Sequence, residues 1–321
     1  MLMCAAVGAL TLVSLGACAT STKAPAPAAA VEKGASGHFD DHDASADAGK
    51  SGECIGVDLL FVIDSSGSMD QAQKSLASGF SKLTGVLDKL TTGGGAKFDY
   101  RIAVTTTQRD VSYVGLGPNG SYIPWSAKGE NGAFSMGCGM NRRWLERDED
   151  DIAKKFACAT DVGVEGGSVE MPLFATKLAL RDRVEDGTNA GFLRPDALLA
   201  VIIVTDEDDC SREADGFKVD MNDRCEPDPS ERPVQDYVDF LDEVKGARGR
   251  WMATVVAGPG PGVCSNASSG VTADKAPRLQ SFVIAAGPSG RFDSICEADL
   301  PETITKTLEQ FGAACKAFPV R

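Results

Sequence analysis

The sequence predicts a doubly wound α/β domain, in which helices cover both faces of a mostly parallel sheet. Three observations carry this. Leu59 to Ile63 and Ala197 to Val204 are continuously apolar runs, as expected of central strands buried on both faces. Strand-like and helix-like stretches alternate along the chain. Each apolar run also stops at a short polar turn, Asp64-Ser65-Ser66-Gly67-Ser68 after the first and Thr205-Asp206 after the second. Open α/β sheets place their ligand sites at such carboxyl ends of strands.

The remaining elements follow in order. Gln71 to Leu90 carries Leu76, Phe80, Leu83, Leu87 and Leu90 on one helical face and ends at Thr91-Thr92-Gly93-Gly94-Gly95. Phe98 to Thr107 reads as a strand. Residues 111–147 read as Gly-rich and irregular, with Pro118-Asn119-Gly120 as a turn. Asp148 to Ala157 predicts a short helix whose acidic start suits the positive end of the helix dipole. Pro172 to Arg183 predicts another helix. Val234 to Val244 is a helix with Val234, Tyr237, Val238, Leu241 and Val244 on one face. Trp251 to Ala257 and Arg291 to Ile295 read as strands. Leu300 to Phe311 closes the domain as a helix, with Ile304, Leu308 and Phe311 facing the core.

Asp64, Ser66 and Ser68 place one carboxylate and two hydroxyls at i, i+2 and i+4. A tight turn at Gly67 can aim all three oxygens at one point. Oxygen donors of this kind suit Mg2+, Ca2+ or Mn2+ and not zinc or copper. The plainer alternative is that Ser66 or Ser68 caps a helix beginning near Met69. The two readings overlap, because a capping serine can also coordinate an ion.

The segment resembles the metal-ion-dependent adhesion site of von Willebrand factor A domains, the family that includes integrin I domains. Its Asp-x-Ser-x-Ser motif matches Asp64, Ser66 and Ser68. The resemblance implies an Asp after a later central strand, which Asp206 supplies. It also implies a Thr on a loop that opens a helix. Gly166-Gly167-Ser168-Val169-Glu170 precedes such a helix, and Ser168 falls at that position, with Glu170 as the alternative ligand. The family's fold is a Rossmann-like doubly wound sheet. Its implied cofactor is a divalent cation, Mg2+ first, with Ca2+ or Mn2+ as alternatives. Its implied partner is a protein offering a Glu or Asp carboxylate to complete the ion's shell. The resemblance covers residues 54 to 315, so 53–321 reads as one domain with enlarged segments at 111–165 and 207–233. The second contains Glu207, Asp208, Asp209, Asp215, Asp220, Asp223, Glu226 and Asp228 beside Asp206. It is expected to rim the metal face; a solvated, disulfide-pinned loop is the alternative.

Net charge is −14, from 32 basic and 46 acidic residues. That excludes nucleic acid as a natural partner, since phosphate binding needs clustered Lys and Arg. The first 22 residues carry no charge. Ala5 to Ala17 is apolar but too short to span a bilayer, and fits a signal-peptide core. Leu15-Gly16-Ala17-Cys18 resembles a bacterial lipobox. Residues 1–17 then read as a signal, with Cys18 lipidated. The run lacks the preceding Lys or Arg of that pattern, which an upstream start would supply. An ordinary secretory signal is the alternative and would leave Cys18 as a free thiol. Ala19 after the Cys points to the outer membrane, so the expected location is the bacterial cell envelope, with membrane contact through the lipid alone. Residues 18–52, rich in Ala, Pro, Ser, Gly and Asp, read as a flexible tether. His38 and His42 lie there among Asp40, Asp41 and Asp43 and read as a solvated acidic linker rather than a metal site.

Of ten cysteines, Cys4 and Cys18 belong to the leader, which leaves eight. An even number in an exported chain predicts four disulfides, chosen from about 105 pairings. Order along the chain favours Cys54–Cys315, Cys138–Cys158, Cys210–Cys225 and Cys264–Cys296. The first would join the two ends of the domain. No Cys-x-x-Cys pair exists and both histidines precede the domain, so zinc is disfavoured. No Gly-x-Ser-x-Gly elbow appears either, so an enzyme is not expected. A metal-dependent hydrolase and a purely structural module are the other classes. Asn119 and Asn266 head N-glycosylation sequons that carry little weight in a bacterial lipoprotein.

Overall fold

The two apolar runs lie side by side at the centre of one sheet. The computed structural model describes residues 54–92, 95–220, 224–225, 227–267, 270–297 and 299–318. The expected signal, the expected lipidation site Cys18, the expected tether with its two histidines, and Asp223 and Glu226 lie outside the described residues, as does the Phe80 side chain.

The strands are β1 (Gly56–Ile63), β2 (Asp99–Thr106), β3 (Val111–Leu116), β4 (Tyr122–Ala127), β5 (Leu145–Glu146), β6 (Ala197–Val204), β7 (Lys218–Val219), β8 (Trp251–Ala257), β9 (Cys264–Ser265), β10 (Thr272–Ala273) and β11 (Gly290–Ser294). The helices are α1 (Asp70–Ser78), α2 (Phe80–Leu87), α3 (Ile152–Thr160), α4 (Pro172–Lys177), α5 (Arg183–Glu185), α6 (Val234–Lys245), α7 (Pro277–Ala286) and α8 (Leu300–Lys316). The main sheet runs β11-β8-β6-β1-β2-β5, parallel except for the antiparallel edge strand β5. Every residue of β1 and β6 is buried. Their side chains alternate between two apolar layers. Leu60, Val62, Leu199, Val201 and Ile203 pack with Leu173, Phe240, Leu241 and Phe282 on one face. Leu59, Phe61, Ile63, Leu198, Ala200 and Ile202 pack with Leu76, Phe156, Ile304, Leu308 and Phe311 on the other. Each such side chain contributes about 1.5–3 kcal/mol through burial, which is why the runs are apolar at every position rather than at alternate ones.

Several elements differ from expectation. The helix predicted over 71–90 breaks at Gly79 into α1 and α2. A Cβ at Gly79 would lie 2.1 Å from the Pro301 Cβ, so the break lets the first turn of α8 approach. The helix predicted at Asp148 begins only at Ile152, behind Asp151 in the left-handed region (φ 54°), and has no acidic residue in its first turn. The dipole argument therefore does not apply; Glu149 pairs with Lys155 at 2.7 Å instead. The helix predicted over 172–183 passes from α4 through a π-helical turn at Leu178–Asp182 into α5. The start of the segment expected to be irregular is a regular hairpin, β3–β4, closed at Pro118-Asn119-Gly120. It forms a second sheet in the order β4-β3-β7. The apolar pattern also gave no sign of α7, which buries Leu279, Phe282 and Ala286.

Disulfides join Cys54 to Cys315, Cys138 to Cys158, Cys210 to Cys225 and Cys264 to Cys296, with Cα separations of 5.3, 5.7, 5.7 and 6.1 Å. Among the described residues no helix is long and apolar enough to cross a membrane.

Candidate metal centre

β1 ends at Ile63, and its next residue, Asp64, is fully buried. The Ser66 N–H donates to Asp64 Oδ1 at 2.7 Å, and the Thr205 hydroxyl donates to Asp64 Oδ2 at 2.6 Å. The register of β1 against β6 causes this second bond. Ile63 pairs with Val204, so the residues that follow each strand emerge side by side. Ser66 Oγ and Ser68 Oγ lie 3.1 Å apart. Ser66 is the N-cap residue of the short 3-10 turn Gly67–Met69 but makes no side-chain capping bond there, and the N-cap of α1 is Met69, so no serine hydroxyl caps either. The capping alternative therefore does not describe these hydroxyls.

Asp206 stands on the same side. Its carboxyl is buried, and Oδ1 has no hydrogen-bond partner among the described residues. Burial, followed by the charge of Asp64, pushes its pKa up to about 7, while the Ser68 hydroxyl acts in the opposite direction. Asp64 is also raised, by burial first, with the Thr205 and Ser66 bonds opposing. A buried unpaired carboxylate is costly, so these two acids call for protons or a cation.

The Gly166–Glu170 loop closes the site. The Gly166 N–H donates to the Ser65 carbonyl at 2.9 Å. A Cβ at Gly166 would lie only 2.4 Å from Ser65 Oγ, so a glycine is needed for the loop to dock. The Gln73 amide donates to the carbonyls of Asp64 at 2.9 Å and Gly163 at 2.8 Å, fixing the same loop to the turn. Ser168 is half-buried on it. Glu170 is fully buried and reaches inward. It accepts hydrogen bonds from the Thr107 hydroxyl and from the Gln108 amide, the latter at 2.6 Å. Burial and then the charges of Asp64 and Glu207 hold its pKa well above the carboxylate range. Both candidates for the fifth ligand thus sit on the docked loop, and Glu170 is the one in electrostatic contact with Asp64.

Thr205, Thr107, Gln108 and Gln73 escaped the sequence reading. Thr205 had a signal, since it follows a buried strand directly; the others become visible only once the strands are aligned. Four carboxylates of the enlarged segment beside Asp206 are engaged in holding the fold. Asp208 accepts the N–H groups of Arg278 and Leu279 at 3.0 to 3.1 Å, capping α7. Asp209 accepts from the Leu173 N–H at 3.1 Å and from Arg278 Nε at 2.7 Å, which ties α4 to α7. Asp215 pairs with Arg109 at 2.9 Å and Asp228 with Arg212 at 2.6 Å. These carboxylates fasten the surrounding elements together rather than standing free.

The donors are all oxygens, in two carboxylates and at least two hydroxyls, and Asp206 keeps one oxygen unengaged. That set fits a hard divalent cation. Among the described residues no group of three or more His, Cys, Asp or Glu side chains is arranged to hold a metal, so an ion here depends on the serine hydroxyls as well as the acids.

No protein-family profile matches the chain, and no curated protein matches it. Solved structures with a similar course of chain include the pilus adhesin SpaC from Lactobacillus rhamnosus GG (14% identity, covering 82% of this chain and 30% of that one, TM-score 0.40). Others are the manganese-loaded TRAP protein of Plasmodium vivax (11% identity, 80% and 73%, TM-score 0.37) and the ArnB paralog VWA2 from Sulfolobus acidocaldarius (11% identity, 80% and 45%, TM-score 0.30). The chain spans less than half the length of the first and third of these.

Proposed function

We propose that this chain is a protein-interaction or adhesion module that binds its partner through a divalent cation. The observation that carries the reading is the unengaged, buried Oδ1 of Asp206 beside Asp64 and the Ser66–Ser68 pair. Asp64, Ser66, Ser68 and Asp206 would hold the ion, with Ser168 or Glu170 as the fifth ligand and Mg2+ as the first choice. The bound ion supplies an electrophilic centre that a Glu or Asp carboxylate of the partner completes. The chain's own part is to hold the donors in place and exclude water. Thr205 and the Ser66 N–H orient Asp64, Gln73 locks the turn to the loop, and Gly166 allows the loop to close. A −14 surface repels a broadly acidic partner, so the carboxylate should stand alone on a neutral or basic patch.

Calorimetry with Mg2+, Mn2+ and Ca2+ tests this. Saturable binding is expected in the native protein and none in Asp64→Ala; heat of binding that survives the substitution would end the reading. A second reading, a structural module that uses no cation, has one observation in its favour. Asp64 already has both oxygens hydrogen-bonded. Absence of binding by all three ions would select it.

We place the module in the bacterial cell envelope, anchored through Cys18 and facing an oxidising compartment that its four disulfides require. Metabolic labelling with a palmitate analogue should mark the native chain and not Cys18→Ser; equal labelling of both would remove the anchor.

A further inference from the structure

We infer that the projecting end of the β3–β4 hairpin, around Ile123 and Trp125, is a second contact surface, which receives apolar side chains flanking the partner's carboxylate. This inference rests on the cation reading above and extends it. From Val111 to Ala127 the chain has no Asp, Glu, Lys or Arg, although 24% of all residues are charged. Val111 and Tyr113 of β3 pack into the core, but the rest of the strip does not. β4 is exposed along most of its length, with Trp125 at 57% and Ile123 at 42% exposure. Large exposed apolar side chains in one uncharged strip mark interaction surfaces, and Trp is among the residues that most often anchor interfaces.

Three details give the strip a direction and an occupant. First, Ile123, Trp125 and Ala127 share one face of β4, because side chains alternate along a strand. Ala127 closes against Gly167, where an added Cβ would lie 2.9 Å from the Ala127 methyl. The Trp125 face therefore runs directly onto the loop that carries Ser168. Second, the Trp125 ring is held. It lies over Gly115, where an added Cβ would be 3.1 Å from the ring, so one side of the indole is fixed and the other faces outward. Third, β4 is the outer strand of its sheet, and Pro124 in its middle offers no N–H. A proline there interrupts pairing with an incoming strand. Side chains, not the backbone edge, are what this surface presents. An apolar segment can cover it without stripping water from a charge on the strip itself, which has none.

The occupant is a protein segment in which one Glu or Asp sits among aromatic or aliphatic residues. The probe is a displayed library of random dodecapeptides, selected on the full-length protein in Mg2+. Selected peptides should carry one acidic residue beside apolar ones and lose binding in EDTA. Trp125→Ala and Ile123→Ala should each weaken them by about tenfold or more, with the Mg2+-induced thermal shift unchanged. Asp64→Ala should abolish both binding and shift. Peptides that need Mg2+ but ignore both hairpin substitutions would overturn this surface and leave the cation reading intact. Failure to select any peptide would overturn the surface, as would peptides that need Trp125 but not Mg2+. Sedimentation that finds a dimer dispersed by Trp125→Ala would assign the strip to a second copy and overturn the proposal as well.

Discussion

Asp206 and Asp64 differ in how their charge is met. Asp64 is fully bonded by a backbone N–H and a threonine hydroxyl, whereas Asp206 has one oxygen without a partner among the described residues. The consequence is a sign that can be measured. The pKa of Asp206 rises from 3.8 to about 7, chiefly through burial and then through Asp64. A carboxyl raised on folding favours the protonated native state. Its stabilising contribution is complete below about pH 4 and is lost as pH rises through about 7. Without cation, stability should therefore decline across that window. Added Mg2+ should restore it, with a larger thermal shift at about pH 8 than at about pH 5. Equal shifts at both would mean that Asp206 does not face the ion. The motif residues were legible because Asp-x-Ser-x-Ser follows a buried strand directly. The choice between Ser168 and Glu170 was not. The two lie two residues apart on one loop, and only the positions of Thr107 and Gln108 reveal that Glu170 turns inward.

At the scale of elements, continuous burial made β1, β6 and β8 readable, and β8 falls at its predicted bounds. The irregularities come from partners distant in sequence. Gly79 interrupts a helical pattern because Pro301 occupies the space above it. Gly79→Ala should therefore destabilise the protein by about 1–3 kcal/mol through overpacking, despite alanine's better helix propensity. Chemical denaturation reads this as a lower midpoint; a raised midpoint would mean that α8 does not press on the break. The β3–β4 hairpin was hidden because glycines at 115, 117 and 120 masked its alternation, and because its neighbour β7 comes from about a hundred residues later in the chain. α7 was hidden for a related reason. Its start depends on Pro277 and on capping by Asp208, a residue far upstream that the sequence presents as part of an acidic loop.

Across the whole molecule, the two ends of the parallel sheet have different work. The end where β1 begins holds a fully buried Asp58, which accepts from the Arg194 N–H and from Arg194 Nε at 2.7 Å, and a buried Lys245 that donates to the carbonyls of Arg194 and Ala197 at 2.7 Å. These groups satisfy one another. The end where β1 finishes holds the buried acids Asp64, Glu170 and Asp206, of which Asp206 keeps one oxygen without a partner among the described residues. The Cys54–Cys315 disulfide closes the structural end, joining the entry of β1 to the last turn of α8. Replacing both cysteines by serine should cost about 2–5 kcal/mol and lower the melting temperature, with Mg2+ affinity preserved. A matching loss of affinity would show that the two ends are coupled.

That disulfide also has a mechanical meaning. Cys54 and Asp64 flank the two ends of one strand, separated by about 33 Å of extended chain. Tension between the chain's entry and a partner held at Asp64 would run along β1, across hydrogen bonds to β2 and β6 that must yield together rather than one by one. At the entry, a covalent bond would share the pull with α8 before the strand itself takes the load. A domain wired this way should resist being peeled open from its N-terminal side.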